Sequence, residues 1–343
     1  MKRWIACAVL SVGVASAQPV SDYGFEFVKV GDPGNSPYDR SVLIPLDRPD
    51  LGVVNYEYRI SRNEVGSGQY LEFLNTFTTK SDDLTQILRQ PIMWGGRPDP
   101  SYSGPGVRYV LRDDVPDPAN QSMRVSWEDA ARYINWLNNG KSSSPSAIEN
   151  GAYDTSLFTQ NPDNSRNHPN THNPGVTYWL PTRDEWLKAA HWDPDKFGPG
   201  EGGWWMYSHG SDQPPVSGLP GEPGAETSAI DWMNQPPTDR LAQLMRVPLG
   251  SYPQTQSPWG LIDITGGSRE WLETWANEQP FSKQADGAPA GGISLADLFE
   301  TTDGTIPGSR FASIRIASVV PSPMSCAVLA GTSALTLSRR RRP

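Results

Sequence analysis

Cysteine is nearly missing from this chain, with two in 343 residues, Cys7 and Cys326, each near an end. Everything between them is free of thiols, so the body of the chain holds no disulfide. Basic residues are also scarce, 29 Lys and Arg against 38 Asp and Glu, for a formal charge of -9. An acidic body of this kind repels a phosphate backbone, which excludes nucleic acid as a partner. No period of 20 to 50 residues repeats, which excludes a solenoid or propeller. Long apolar runs are missing as well. The longest near the C-terminus, Met324 to Leu337, is short for a membrane span, which needs about 17–25 apolar residues.

What the chain does have is turn formers and large rings. Gly 32 and Pro 33 make up nearly a fifth of it, with 13 Trp and 12 Tyr. This composition predicts a single globular, loop-rich body with much irregular structure, pinned by aromatics.

The two ends read as processing segments. Lys2 and Arg3, the apolar run Ile5 to Val14 and Ala15-Ser16-Ala17 form a secretory signal over residues 1–17. Residues 319–343 carry Pro321-Ser322-Pro323, the short apolar run and Arg339 to Arg342. This resembles the sorting tail of bacterial exosortase substrates, with Pro-Ser-Pro in place of Pro-Glu-Pro. The two segments predict export to the cell surface or matrix, with membrane contact only through the tail. Without their six basic residues, 23 bases face 38 acids and the charge becomes -15.

Between the ends, residues 18–56 form a strand-rich lead-in, with Phe25 to Val30 alternating, and Val53 to Ile60 alternates again. A helix is predicted from Ser67, its stripe made of Tyr70, Phe73, Leu74 and Phe77. A second opens at Ser126 as N-cap, with Asp129 as a short capping-box partner, and ends at Asn138-Asn139-Gly140. The third follows the strand Tyr178 to Pro181, with Thr182 to Glu185 as a capping box. Residues 141–176 make a long polar excursion, either functional or mobile. Inside it, His168 and His172 are expected on the surface rather than at a metal, because Pro169 and the asparagines prevent a helix from bringing the rings together. Arg310 to Ala317 reads as a final core strand.

The densest chemistry lies in Gly260 to Trp275. Asp263 and Glu270 bracket Gly266-Gly267, so two carboxylates and curled backbone carbonyls can face one point, the arrangement a hard cation such as calcium requires. Trp271 and Trp275 are expected to pack beneath it.

Five stretches in order resemble the sulfatase-modifying-factor family, whose founding members are the formylglycine-generating enzymes. Asn63-Glu64-Val65 with Gln69-Tyr70 is similar to E-V-T-N-x-Q-Y, Val125 to Ala130 to V-S-W-x-D-A, and Leu180 to Trp186 to L-P-T-E-x-E-W. Gly260 to Asp263 through Glu270-Trp271 is similar to G-L-Y-D-M-x-G-N-V-W-E-W, and Ser313 to Ala317 to G-F-R-I-A. The resemblance covers residues 57–318 and implies a compact α+β domain related to C-type lectin-like folds. It also implies a structural Ca2+ on the side chains of Asp263 and Glu270 and the carbonyls of Gly266 and Ser268. Gly267 stands where the family has Asn, a departure expected to cost a supporting bond.

Activity is where the chain departs from the family. The copper-binding cysteine pair and the R-G-G-S-W segment of the formylglycine-generating enzymes are not found between Gly291 and Arg310. A soft metal is not held without thiolates, so no copper and no catalytic residue are assigned. The added helical bundle of the family's iron sulfoxide synthases is missing too. The expected function is a non-catalytic binding or structural module, with exposed loops rich in Trp, Tyr and Asn suited to a glycan or peptide. The alternatives are an enzyme with an unfamiliar site, built from the 141–176 loop and the acids near Glu270, and a sulfatase-maturation partner that kept substrate binding and lost oxidation.

Overall fold

The alternating run before Gly31 forms β1 (Phe27–Val30), and the second alternation forms β2 (Tyr58–Ser61). In the computed structural model, residues 21–38, 49–78, 88–162, 166–229, 237–275, 283–286, 310 and 312–321 are described, with backbone alone at 166, 275 and 283–286. Along the chain follow α1 (Ser67–Thr76), α2 (Trp127–Asn138), β3 (Tyr178–Trp179), α3 (Arg183–His191) and α4 (Thr238–Leu244). Then come β4 (Glu270–Trp275), β5 (Lys283–Asp286) and β6 (Ala317–Ser318). These elements belong to one compact unit, Asp22–Val320. A second unit, Met1–Ser21 with Pro321–Pro343, lies outside the described residues except at Ser21 and Pro321, and both proposed processing segments fall largely on it. Among the described residues no helix is long and apolar enough to cross a membrane.

The main sheet runs β1-β2-β6-β3, with every neighbour antiparallel. Ala317 sits opposite Ile60 on one side and Trp179 on the other, so the last strand fills the gap between two strands more than a hundred residues apart. Val30, Tyr58, Ile60 and Ala317 are buried and pack with Trp186, Leu187, Leu261 and Leu272 in one cluster. The lead-in of residues 18–56 therefore contributes β1 to the same sheet. Of the expected final core strand, Arg310 to Ala317, only Ala317 is regular strand among the described residues, yet Ala312 to Ala317 are all buried; Phe311 lies outside the described residues. Ser313 bridges to Glu270 and Ala312 to Val125.

The helices follow their stripes. Tyr70 and Phe73 of α1 meet Tyr133 and Trp136 of α2 at ring-centroid distances of 5.2 to 5.5 Å. Such aromatic pairs each add about 0.5–1.5 kcal/mol beyond area burial. The cap of α1 is Gly66 rather than the expected Ser67. Gln69 Oε1 accepts from the Gly66 N–H at 3.0 Å. Ser67 instead donates to the Gln121 carbonyl and accepts from Gly95 N–H, both at 2.8 Å, because its buried hydroxyl must satisfy two backbone groups. Ser126 caps α2 as expected, accepting from Asp129 N–H at 3.1 Å, and Gly140 ends that helix at φ 67°. The capping box of α3 is complete: Thr182 N–H donates to Glu185 Oε2 at 2.8 Å and Glu185 N–H to Thr182 Oγ1 at 3.2 Å. Helix α4 lies in a stretch whose glycines and prolines gave no helical signal.

The long polar excursion is held by asparagines at the end of α2. Asn135, fully buried, donates to the Tyr153 and Ile148 carbonyls at 2.7 and 3.1 Å and accepts from Tyr153 N–H at 2.8 Å. Asn139 donates to the carbonyls of Ala147 and Asn150 at 3.1 and 2.6 Å. Asparagines carry this load because one amide both donates and accepts, which matches a backbone with no ladder of its own.

Candidate functional site

The five sequence stretches converge on one buried corner. Trp127, at the start of α2, donates its indole N–H to the Leu272 carbonyl of β4 at 3.1 Å. Trp271 answers by donating to the Val125 carbonyl at 2.9 Å. Trp186 of α3 donates to Glu270 Oε2 at 2.6 Å. Both Glu270 and Arg315 are fully buried, and their contact is bidentate: Arg315 Nε reaches Oε1 and Oε2 at 2.8 and 2.9 Å, and Nη2 lies 2.7 Å from Oε1. The remaining guanidinium donors go to the carbonyls of Ser61, Arg62 and Ile262 at 2.8, 2.7 and 3.0 Å. Burial would lower the Arg315 pKa, but the charge and hydrogen bonds of Glu270 outweigh it and hold the guanidinium charged.

This arrangement decides how the calcium donors fit. Glu270 does not fit, because both its oxygens already face a guanidinium and an indole, and a second cation there would meet the Arg315 charge at contact distance. Arg315 itself sits in a cage of one carboxylate and three carbonyls, the oxygen surroundings expected of a bound cation. Asp263 Oδ2 accepts from Gly250 N–H at 2.6 Å and Asn63 Nδ2 at 3.1 Å, and its φ of 57° places it in the left-handed region. Burial pushes the Asp263 carboxyl above its usual range. Ser268 turns its N–H to Glu64 Oε1 at 3.1 Å, and Gly266 lies at φ 111° against Thr227 and Ser228. Asp263, Gly266 and Ser268 thus share the loop that leads into β4, while Glu270, the first residue of β4, is spent on Arg315. Trp271 is fully buried beneath the corner, while the side chain of Trp275 lies outside the described residues.

Glu64 is the residue that sequence reasoning passed over. It is buried and accepts from Ser122 Oγ and Ser313 Oγ at 2.6 Å each, besides Ser268 N–H. Burial, then repulsion from Glu270, pushes its pKa up to about 8 against those hydrogen bonds. Gly267 lies against it: a Cβ there would lie 2.6 Å from Glu64 Oε1 at a φ of 63°, so a side chain at this position requires Glu64 to shift. The signal for it was its place in the Asn63-Glu64-Val65 stretch, where polar Arg62 and Asn63 stand beside it and nothing local marks it as buried.

A second pair stands apart from this corner. His172 Nδ1 lies 2.8 Å from Glu273 Oε2, and Tyr153 OH donates to the same oxygen at 2.9 Å. The imidazole stacks on Trp179 at 4.7 Å and 22°, and its side chain is 27 % exposed over a buried Glu273. His168, expected on the surface, is instead buried: its Nε2 lies 3.1 Å from Glu128 Oε1, and its ring meets Trp127 and Phe158 at 5.2 Å. Pro169 and Asn170 let the two histidines reach two different glutamates, so they do not share a ligand. With Nδ1 committed to Glu273, Nε2 is the nitrogen of His172 left to exchange protons.

Burial alone would lower the His172 pKa, but the hydrogen bond and charge of Glu273 raise it above the usual 6.5 of a free imidazole. A raised histidine pKa stabilises the fold fully below 6.5, and that contribution is lost as pH rises through the folded value. Titration followed by imidazole NMR should place His172 above 6.5 in the native chain and lower in Glu273→Gln. A midpoint unmoved by that substitution would break the assignment.

Aromatic placement corrects a further expectation. Trp94, Trp127, Trp136, Trp179, Trp186, Trp192, Trp204 and Trp271 are all buried, so these rings build the core rather than line exposed loops. Among the described residues, the most exposed large apolar side chains are Phe197 at 67 % and Val216 at 53 %.

Comparison with known proteins bears on this corner. Residues 27–338 match the sulfatase-modifying factor enzyme 1-like domain. The chain belongs to this family. The match begins within β1, ahead of the boundary expected at residue 57, and runs past 318. Among solved structures, the crystal structure of CarF is similar at a TM-score of 0.45 and 19% identity, covering 87% of this chain and 99% of that one. No curated protein matches in sequence. For a sulfatase-modifying-factor domain, the buried corner reads as architecture: its tryptophans, Glu270 and Arg315 satisfy one another inside the protein.

Proposed function

We propose that this sulfatase-modifying-factor domain is an exported binding or structural module at the cell surface or in the matrix, and not a thiol oxidase. The observation that carries the reading is the sequence from Ala8 to Ser325, which contains no cysteine to hold copper or engage a substrate thiol. Residues Lys2 to Ala17, with the features of a signal, support export. Arg315 supplies the positive charge of the corner, so unfolding temperature should be indifferent to calcium and to chelator.

The deciding experiment incubates the purified chain with copper and cysteine-containing peptides and follows oxygen consumption, alongside glycan and peptide arrays. Oxygen uptake above the uncatalysed rate would overturn the reading, and a ligand on the arrays supports it. The enzyme alternative rests on one observation, the His172–Glu273 pair joining the 141–176 loop to β4, whose solvent-reaching imidazole is able to accept a proton from a substrate.

A further inference from the structure

Beside α4 is a cavity of about 540 Å³, open to solvent along one side, whose walls come from three separate parts of the chain. Three prolines, Pro116, Pro220 and Pro248, line it together with Leu219 and Val247. Its size falls in the range of small-molecule sites, and its surface is almost wholly apolar. Among the described residues of the lining, Arg246 is the only charged one. That side chain is exposed, and its guanidinium makes no ion pair or hydrogen bond among the described residues. The acid that feels its charge, Asp114, is already held bidentately by Arg112 at 2.8 and 2.5 Å.

The walls are tied to one another rather than loosely apposed. Gln121, buried, donates one amide to the Pro116 carbonyl at 2.6 Å and to the Arg246 carbonyl at 3.1 Å, joining two walls through a single side chain. The turn carrying Leu219 and Pro220 is fastened to α4 by Glu222, which accepts from Arg240 at 2.8 and 2.6 Å and from Leu219 N–H at 2.8 Å. Tyr252 OH fixes the same turn from below through the Gly218 carbonyl at 2.5 Å. Proline walls held this way lose little entropy when a ligand enters, the condition for useful affinity in a small site.

We propose that this cavity binds a small monocarboxylate with an apolar body, the body against the prolines and the carboxylate on Arg246. The inference rests on the binding-module reading and gives that module a ligand class. The chemistry selects the class. Apolar walls favour burial of hydrocarbon. One unpaired guanidinium matches one anion, because a carboxylate takes two of its parallel N–H donors. A second charge on the ligand would enter the apolar cavity with nothing to meet it.

The test titrates the full chain with decanoate, decanol and decyltrimethylammonium by calorimetry, in the native protein and in two variants. Decanoate should bind at least about tenfold more tightly than decanol, as loss of one charge-assisted contact predicts, and the cation should not bind. Arg246→Gln should remove that advantage and leave decanol unchanged, while Ala242→Trp, which fills the cavity from α4, should abolish both. Arg108→Gln, an exposed cation elsewhere, should change nothing. Equal affinity for decanoate and decanol, binding indifferent to Arg246→Gln, or no binding at all would overturn the proposal. If decanoate fails while an array ligand binds, the cavity proposal falls alone; if neither binds, the binding half of the module reading falls with it and the structural half stands.

Discussion

Arg315→Met should lower the unfolding free energy by about 3–5 kcal/mol, the cost of leaving a buried charge without its partner. The guanidinium is fully buried and its donors are spent on Glu270 and on the carbonyls of Ser61, Arg62 and Ile262. Methionine fills much of the volume, so the loss comes from electrostatics and unmet acceptors more than from a cavity. Glu270 would keep only the Trp186 indole, close to Glu64, which it already repels. Arg315→Lys should recover little, because one ammonium cannot span a carboxylate and three separate carbonyls. The double variant Arg315→Met/Glu270→Leu should regain part of the loss, since removing both ions also removes their desolvation. Urea denaturation of the three variants measures each step. A loss under about 1 kcal/mol in Arg315→Met would mean that the corner is wet or rearranged, and the argument against calcium at Glu270 would go with it.

The sequence made the elements of this corner visible and left their partners hidden. Tyr70, Phe73, Leu74 and Phe77 show a helix by spacing alone, and Thr182 with Glu185 shows a helix start, because both signals are local. Arg315 alternates with Ile314 and Ile316 and reads as the polar side of a strand. Nothing local says that its polar side faces Glu270, 45 residues back along the chain, rather than water. The same holds for His168. Its neighbours Pro169 and Asn170 describe a surface turn, yet the ring is drawn inward by Trp127, Phe158 and Glu128. The Gly260–Trp275 stretch showed crowded carboxylates but not that Glu270 meets Arg315, because a carboxylate near glycines fits a metal or an arginine equally well until the third dimension supplies a partner. The cavity beside α4 was wholly illegible, since Pro116, Pro220 and Pro248 come from three loops and α4 itself carries too short a stripe to show a period.

Trp127→Ala tests the other half of the corner, where β4 and α2 exchange indole hydrogen bonds. The ring is fully buried, its N–H donates to Leu272, and it meets Tyr153, Phe158 and His168 edge-on at 5.2, 5.6 and 5.2 Å. Truncation to alanine should cost about 3–5 kcal/mol, the range for large aromatic deletions in a packed core. Trp127→Phe separates the two contributions. It keeps most of the ring and orphans the Leu272 carbonyl, so it should cost about 1–3 kcal/mol. The position of the loss matters as well as its size. Because Trp127 is the surface on which Phe158 and His168 rest, alanine should speed amide exchange around residues 153–160 more than at Tyr70 and Phe73, which pack on the far side of α2 against Tyr133 and Trp136. Exchange that rises equally at both places would show global loosening, and the ring would then be ordinary core rather than the anchor of the polar excursion that carries His172.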